Sequence, residues 1–359
     1  MITWPASVGV LALDLSSPPE LAAATDTGGV VTPALVIVLL LVLAAEFVNG
    51  WTDAPNAIAT VVATRVLRPY YAVVMATALN IAGAFYGLKV AETIGKGIVK
   101  TEVISLSTVA AAMVGIVIWS TLAWMRGLPT SESHALVAGL SGAGLAAAGP
   151  GVLLWEGWLK VGIGLVFSTF LGFGGGVLLM TLIYRLFFRA RPGTVRRWFG
   201  RLQIFSAALM AFGHGSNDGQ KFIGVFSLSL LLGGILPRFQ VPGWVIWICA
   251  LTMGLGTAVG GWRIIRTMGL KLTKLQPVQG FAAETGAGLT ILGASYFGIP
   301  LSTTHTINTS IMGVGATRRL SAVRWGVAQE ILAAWVLTFP VCAGIAWGTT
   351  KLLLKLWPM

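Results

Sequence analysis

The sequence predicts an all-α protein that crosses a membrane many times and is built of two inverted repeats. Of its 359 residues, 56% are hydrophobic and only 10% are charged, whereas about 25% of a soluble domain is charged. Many segments approach the ~20 consecutive apolar residues that a helix needs to cross a bilayer. In addition, two short polar signatures each occur twice, in the same order, in the two halves of the chain.

The first signature reads Gly-Trp-Thr-Asp-Ala-Pro-Asn at 50–56 and Gly-Ser-Asn-Asp-Gly-Gln-Lys at 215–221. The second reads Pro-Thr-Ser-Glu-Ser-His at 129–134 and Pro-Leu-Ser-Thr-Thr-His at 300–305. The aligned polar pairs are Asp53 with Asp218, Ser131 with Ser302, Ser133 with Thr304, and His134 with His305. Ionisable side chains are costly in hydrophobic surroundings, so their duplication predicts one site to which both halves contribute.

The apolar segments give about ten candidate spans or span equivalents, half of them in each repeat. In the first half they cover 31–67, 70–90, 107–126, 129–149 and 161–188. In the second half they cover 204–235, 243–262, 281–298, 300–316 and 328–350. The first span of each half is expected to be interrupted at the first signature. Because each half has an odd number of crossings, the second half enters the membrane from the opposite side, which makes the repeats inverted.

The charge distribution supports this organisation. The predicted parts are an N-terminal extension at 1–30, a first repeat at 31–189, a basic cytoplasmic linker at 190–203, a second repeat at 204–350 and a tail at 351–359. With both termini outside, most Lys and Arg residues fall on the cytoplasmic side, as the positive-inside rule expects. This accounts for the formal net charge of +12 without a nucleic-acid partner. We therefore expect a multi-pass protein of the cell membrane, embedded in the lipid bilayer.

Each copy of the second signature predicts the start of a helix. A proline followed by Ser or Thr is typical of a helix N-terminus, because the hydroxyl groups can accept hydrogen bonds from free backbone amides. Small residues follow in both copies and allow close packing or chain reversal. We expect two discontinuous helices, in re-entrant-type helical hairpins, that begin near the membrane midplane. Continuous spans with capped ends are the alternative.

The residue types at these positions suit an oxyanion that has lost its water. Helix N-termini offer free amides and a positive dipole, and polar side chains add further donors. The candidate substrate-binding residues are Asp53, Asn56, Ser131, Ser133, Asn217, Asp218, Lys221, Ser302, Thr303 and Thr304. The two aspartates would repel an anion unless each binds a cation or proton that travels with it. The inventory therefore predicts cation-coupled transport of an oxyanion.

Buried acids and imidazoles are candidates for the coupling itself. The candidates for cation or proton coupling are Asp53, Asp218, Glu46, Glu132, Glu284, His134 and His305. For each histidine, a structural hydrogen bond to a neighbouring carbonyl is the alternative to proton coupling. Both cysteines lie in apolar runs, so we expect them to be packing residues and expect no resident metal or cofactor.

The motifs together resemble those of the inorganic phosphate transporter (PiT) family, in particular its bacterial low-affinity phosphate transporters. Segment 214–221 is similar to the family's Gly-Ala-Asn-Asp-like motif, and 46–60 is similar to its looser Asn-Gly-x-x-Asp-x-x-Asn-Ala form. Segment 300–306 resembles the family's Pro-Val-Ser-Thr-Thr-His segment, and 279–284 is also similar to family members. The resemblance implies phosphate bound between the paired segments, a coupling ion that is H⁺ or Na⁺, and a homodimer with external termini.

Two departures from the family pattern bear on the coupling ion. Lys221 stands where the first repeat has Asn56, and 130–133 differs from the family's Val-Ser-Thr-Thr. A lysine removes one sodium ligand and adds a fixed charge. Protons, or a neutral phosphate complex with a co-transported divalent metal, are therefore expected in preference to sodium. The alternatives are a sulfate or other oxyanion permease, a sodium-coupled symporter and an anion channel. An enzyme is not expected, because the sequence offers no nucleophile–base–metal set.

Overall fold

The computed structural model describes residues 30–356, which are helical apart from short connections and an isolated bridge between Val99 and Leu153. The predicted N-terminal extension lies outside the described residues, except for its last position. The helices of the first half are α1 (Pro33–Ala63), α2 (Pro69–Ala84), α3 (Lys89–Gly97), α4 (Leu106–Met125), α5 (Glu132–Ala148) and α6 (Trp155–Leu186). Those of the second half are α7 (Pro192–His214), α8 (Gln220–Leu232), α9 (Gly243–Val259), α10 (Trp262–Arg266), α11 (Pro277–Phe297), α12 (Thr303–Arg318) and α13 (Trp325–Leu356).

The order of the elements repeats. α1 corresponds to α7 and α8, which a π-helical turn at Gly215–Gly219 joins into one long element. The chain bends by 70° between α2 and α3, and by 58° between α9 and the segment 262–271. α5 and α12 have 17 and 16 residues, and α6 and α13 both have 32. The predictions of an all-α fold and of two repeats are confirmed.

Membrane-spanning capacity is unevenly distributed among these helices. By length and composition, α1, α4, α6 and α13 could each cross a membrane, and each bent pair could add one span. At 1.5 Å per residue, α5 and α12 are only about 25 Å long, shorter than the ~30 Å hydrocarbon core. Their length fits helices that begin inside the membrane.

The two repeats interlock, because the last helix of each one covers the short helix of the other. α6 packs against α11 and α12, while α13 packs against α4 and α5. Equivalent glycines permit this approach. A Cβ atom at Gly142 in α5 would lie 2.2 Å from the Ala343 carbonyl oxygen, and one at Gly313 in α12 would lie 2.3 Å from that of Phe173. Only a residue without a side chain fits at either position.

Three boundaries differ from the sequence prediction. The first span was expected to be interrupted at 50–56, but α1 continues through Pro55, since proline is tolerated within membrane-spanning helices whose neighbours satisfy the freed backbone groups. Residues 192–203 of the predicted linker form the first turns of α7, whose Pro192 suits a helix start. α13 extends to Leu356, into the predicted tail. The division of the chain into domains otherwise stays a prediction.

Candidate functional site

The two short helices begin face to face in the interior of the protein. Ser131 caps α5 by accepting a hydrogen bond from the His134 amide (3.4 Å), and Ser302 caps α12 by accepting one from the His305 amide (3.1 Å). Ser131 and Ser302, two of the three serines predicted to bind substrate, therefore act as helix caps in this structure. The imidazole rings that follow them lie edge to face, with centroids 4.3 Å apart. Two positive helix ends thus point into one region.

The first signature meets the second across the repeat boundary. Asn56 Nδ2 donates to Thr304 Oγ1 (2.9 Å) and to Thr303 Oγ1 (3.2 Å). Thr304 Oγ1 in turn donates to Asp53 Oδ1 (3.2 Å), and Thr303 Oγ1 donates to Asp218 Oδ2 (2.5 Å). These five side chains are buried. The predicted convergence of both signatures on one site is therefore present in the geometry.

Lys221 lies at the centre of this cluster and is buried. Its Nζ donates to the Asp218 carboxylate, to Ser133 Oγ (2.5 Å) and to the Leu301 carbonyl oxygen (2.9 Å). Ser133 Oγ also donates to the Leu301 carbonyl (2.8 Å). A buried ammonium is tolerated when a carboxylate and further acceptors surround it. Lys221 follows Asp218 by three residues, so helical spacing places the two side chains on the same side.

A histidine that the sequence analysis did not select belongs to the site. His214 Nε2 lies 3.2 Å from Asp218 Oδ2, and His214 Nδ1 lies 3.2 Å from Asn80 Oδ1. Asp53, His214 and Asp218 each place one ligand atom within 4.8 Å of the others, so together they could hold a cation. The available signal was the position of His214, one helical turn before Asp218 of the first signature's second copy.

Glu132 has its hydrogen-bond partners outside the central cluster. It accepts hydrogen bonds from Thr52 Oγ1 (2.9 Å) and Ser120 Oγ (2.8 Å), which tie α5 to α1 and α4. Asn217 also leaves the cluster, because its Nδ2 donates to Ser295 Oγ (3.1 Å). Of the predicted substrate-binding residues, Asn217 and the two capping serines are thus engaged outside the central cluster.

The remaining acids flank the site instead of joining it. Glu46 lies on one side of the cluster and accepts a hydrogen bond from Asn49 Nδ2 (3.0 Å). Glu284 accepts from Thr60, from Ser206 and from Gln203 Nε2 (3.2 Å). Glu46 and Thr60 lie seven residues before and after Asp53 on α1, which places each about 10 Å from it along the helix. The two glutamates therefore sit at opposite ends of the central cluster.

His134 and His305 have no hydrogen bonds from their ring nitrogens among residues 30–356. The His305 ring stacks on Trp335 with centroids 3.5 Å apart, and Trp335 Nε1 donates to the Pro129 carbonyl (2.9 Å). His134 lies beside Phe339. The structural alternative of a bond from either ring to a neighbouring carbonyl is not observed in the described part of the chain. His134 borders a narrow cavity that Ser133 and Ser302 also line.

The central cluster is closed to solvent, while a larger cavity lies outside it. That cavity, of about 640 Å³, is bordered by Lys89, Lys96 and Lys160 and by Glu92 and Glu156. It reaches Gly298, close in sequence to the start of the second short helix. The charged rim therefore lies near the segment that leads into α12, and the side chains of the site itself are buried.

The chain is similar to known transport proteins. Residues 49–346 match the phosphate transporter family. A probable low-affinity inorganic phosphate transporter of Rhizobium meliloti is 48% identical over 316 residues, which cover 88% of this chain and 95% of that protein. A protein of Bacillus subtilis with the same description is 38% identical over 311 residues, covering 86% and 93%.

One solved structure, described as the sodium-dependent phosphate transporter, shares the fold. It superimposes with a TM-score of 0.83 at 24% sequence identity, covering 91% of this chain and all of that one. The resemblance that the motifs indicated is confirmed, and the family and these relatives are transporters, not enzymes. The chain belongs to the phosphate transporter family.

Proposed function

We propose that the protein is a secondary active importer of inorganic phosphate in the cell membrane, which works by cation symport and prefers protons to sodium. The observation that carries the proposal is the Asp53–Thr304–Asn56 chain together with the Thr303–Asp218–Lys221 chain. Each chain joins an acid that can hold a cation to hydroxyl groups that can hold an oxyanion. The family and the descriptions of the relatives support phosphate as the substrate.

The hydrogen bonds suggest how cation and anion binding are coupled. Thr303 and Thr304 donate to Asp218 and Asp53 in this structure, so neither hydroxyl is free to donate to phosphate. When a proton or cation binds an aspartate, its oxygen no longer needs that donor. The threonine hydroxyl can then turn to a phosphate oxygen held between the two helix N-termini. Substrate and coupling ion would thus each favour the binding of the other.

Proton coupling is supported by Lys221 and by the flanking acids. The Lys221 ammonium is hydrogen-bonded to the oxygens of Asp218 and Ser133, which a sodium ion at this position would need as ligands. Buried carboxylates and imidazoles such as Glu284 and His305 can carry protons through a low-dielectric interior. A co-transported divalent metal would be cargo, and the Asp53, His214 and Asp218 group has the carboxylate and imidazole donors for it.

Sulfate is the main competing substrate. Phosphate at neutral pH carries a hydroxyl hydrogen that can donate to a carboxylate, whereas sulfate only accepts hydrogen bonds. A site whose walls include Asp53 and Asp218 therefore favours phosphate. The homodimer and the external termini of the sequence analysis stay predictions.

The test is uptake by purified protein in proteoliposomes. Labelled phosphate or labelled sulfate is supplied outside, with and without an inward pH gradient, sodium and a divalent metal. We expect concentrative phosphate uptake driven by the pH gradient without sodium, and little sulfate uptake. Preferential sulfate uptake, a strict sodium requirement, or downhill flux without counterflow would each contradict the proposal, and the last would indicate a channel.

A further inference from the structure

Asn56 and Lys221 occupy equivalent places in the two repeats. Each lies three residues after its signature aspartate. Asn56 Nδ2 donates to Thr304 Oγ1 (2.9 Å), and Lys221 Nζ donates to Ser133 Oγ (2.5 Å). Since Ser133 and Thr304 are themselves aligned, both contacts join the long element of one repeat to the short helix of the other. The two arrangements differ in that one donor is a neutral amide and the other is an ammonium.

The surroundings of Lys221 Nζ are those of a bound monovalent cation. The ammonium contacts a carboxylate oxygen of Asp218, the hydroxyl oxygen of Ser133 and the carbonyl oxygen of Leu301. Carboxylate, hydroxyl and unwound backbone carbonyl oxygens are the ligands that hold small hard cations in proteins and in membrane carriers. Lys221 thus supplies, from its own side chain, a charge of the sign and position that these oxygens require.

The equivalent place in the first repeat has no such charge. Asp53 accepts a hydrogen bond from Thr304 Oγ1, and between residues 30 and 356 no Lys or Arg forms an ion pair with it. Its carboxylate is nevertheless buried. A buried carboxylate without a fixed counter-ion needs a mobile one or a proton.

We propose that the Lys221 ammonium permanently fills one of two symmetry-related cation positions, so that only the Asp53 position exchanges a cation during each transport cycle. One cation fewer would then accompany each phosphate than in a carrier whose two positions are both open. This inference rests on the proposed symport. If Lys221 and Asp218 formed a purely structural salt bridge, replacing Lys221 would not change the number of ions moved per phosphate.

The decisive variant is Lys221→Asn, which gives the second repeat the residue of the first. Cations moved per phosphate are measured in proteoliposomes from the membrane potential at which net phosphate flux reverses. We expect the variant to move one more cation per phosphate than the wild type and to acquire stimulation by sodium. Lys355→Asn, the same change at an exposed position at the end of α13, is the matched control and should leave the ratio unchanged.

A second variant covers the case in which Lys221→Asn is inactive. Lys221→Ala removes the ammonium and leaves space, so methylammonium or sodium should restore uptake, while an uncharged osmolyte should not. An unchanged ratio in an active Lys221→Asn, or the failure of every monovalent cation to restore Lys221→Ala, would overturn the inference while wild-type uptake stands. If the wild type itself shows no cation-driven phosphate uptake, the proposed function fails first and the inference falls with it.

Discussion

The imidazole rings of His134 and His305 meet edge to face, with centroids 4.3 Å apart, although they belong to different repeats. Each is the third residue of a short helix that starts in the protein interior. Their contact therefore marks the place where the two N-termini converge. The hydroxyl groups of Ser133 and Thr304, one residue earlier on each helix, are carried to the same region, where Lys221 and Asp53 lie.

Replacing Thr304 by valine tests the hydroxyl that faces both an acid and an amide. Thr304→Val keeps the shape of the side chain but loses the donation to Asp53 and the acceptance from Asn56. Because a hydrogen bond to a charged group contributes roughly 1.5–3 kcal/mol, we expect the phosphate KM to rise about tenfold or more. Thr306→Val is the matched control, since among residues 30–356 that hydroxyl bonds only to the Ser302 carbonyl at the start of its own helix. Equal KM values for wild type and Thr304→Val would remove this hydroxyl from the site.

The two signature aspartates should respond differently to neutralisation. Asp53→Asn removes a charge that has no fixed counter-ion, so concentrative uptake should be lost while the thermal midpoint in detergent is kept. Asp218→Asn leaves Lys221 buried without its carboxylate, which costs roughly 3–5 kcal/mol. We expect that variant to lose both uptake and thermal stability. The account would be wrong about this asymmetry if both variants unfolded at the same temperature.

Glu284 should affect coupling more than phosphate affinity. Its partner Thr60 lies about 10 Å from Asp53 along α1, and Glu284 accepts three side-chain hydrogen bonds, from Thr60, Ser206 and Gln203. Glu284→Gln should therefore reduce uptake driven by a pH gradient and leave the phosphate KM close to that of the wild type. Glu330→Gln, at an exposed position of α13, serves as the control. A large change in KM with normal pH-driven uptake would place Glu284 in the anion site instead.

The interlocking of the repeats depends on two equivalent glycines. In Gly313→Ala the new Cβ would lie 2.3 Å from the Phe173 carbonyl oxygen, so α12 and α6 must separate. We expect a loss of roughly 1–3 kcal/mol of stability, seen as a lower thermal midpoint, and reduced uptake. Gly348→Ala in α13 has open space around it and should be neutral or stabilising. If Gly313→Ala matched this control, the close approach of the two helices would be refuted.

The sequence alone was sufficient to predict the features that follow from the duplicated signatures. Asp53, Asn56, Asp218, Lys221 and the second-signature hydroxyls come together because two copies of a broken helical unit face each other. The duplication therefore predicts which residues meet, even when the packing angles of the helices are unknown. The caps at Ser131 and Ser302 also follow from local sequence, although their role as caps competes with a role in anion binding.

Hydrogen-bond partners on helices outside the two signatures could not be predicted from the sequence. Glu132 bonds to Thr52 and Ser120, and the latter lies on α4, outside both signatures. Asn217 turns toward Ser295 on α11, although its neighbour Asp218 turns inward. His214 lies one helical turn before Asp218 and contacts its carboxylate, but it also reaches Asn80 on α2. These contacts depend on helix rotation and local winding, which residue spacing does not determine.

The central claim is that the duplicated acids and hydroxyls form a single site in which proton and phosphate move together. It is tested most directly by recording luminal pH with a trapped dye while labelled phosphate enters sodium-free proteoliposomes. The account predicts that the lumen acidifies in step with phosphate entry, and that Asp53→Asn abolishes both signals together. Phosphate entry without acidification, or acidification that persists in Asp53→Asn, would contradict it.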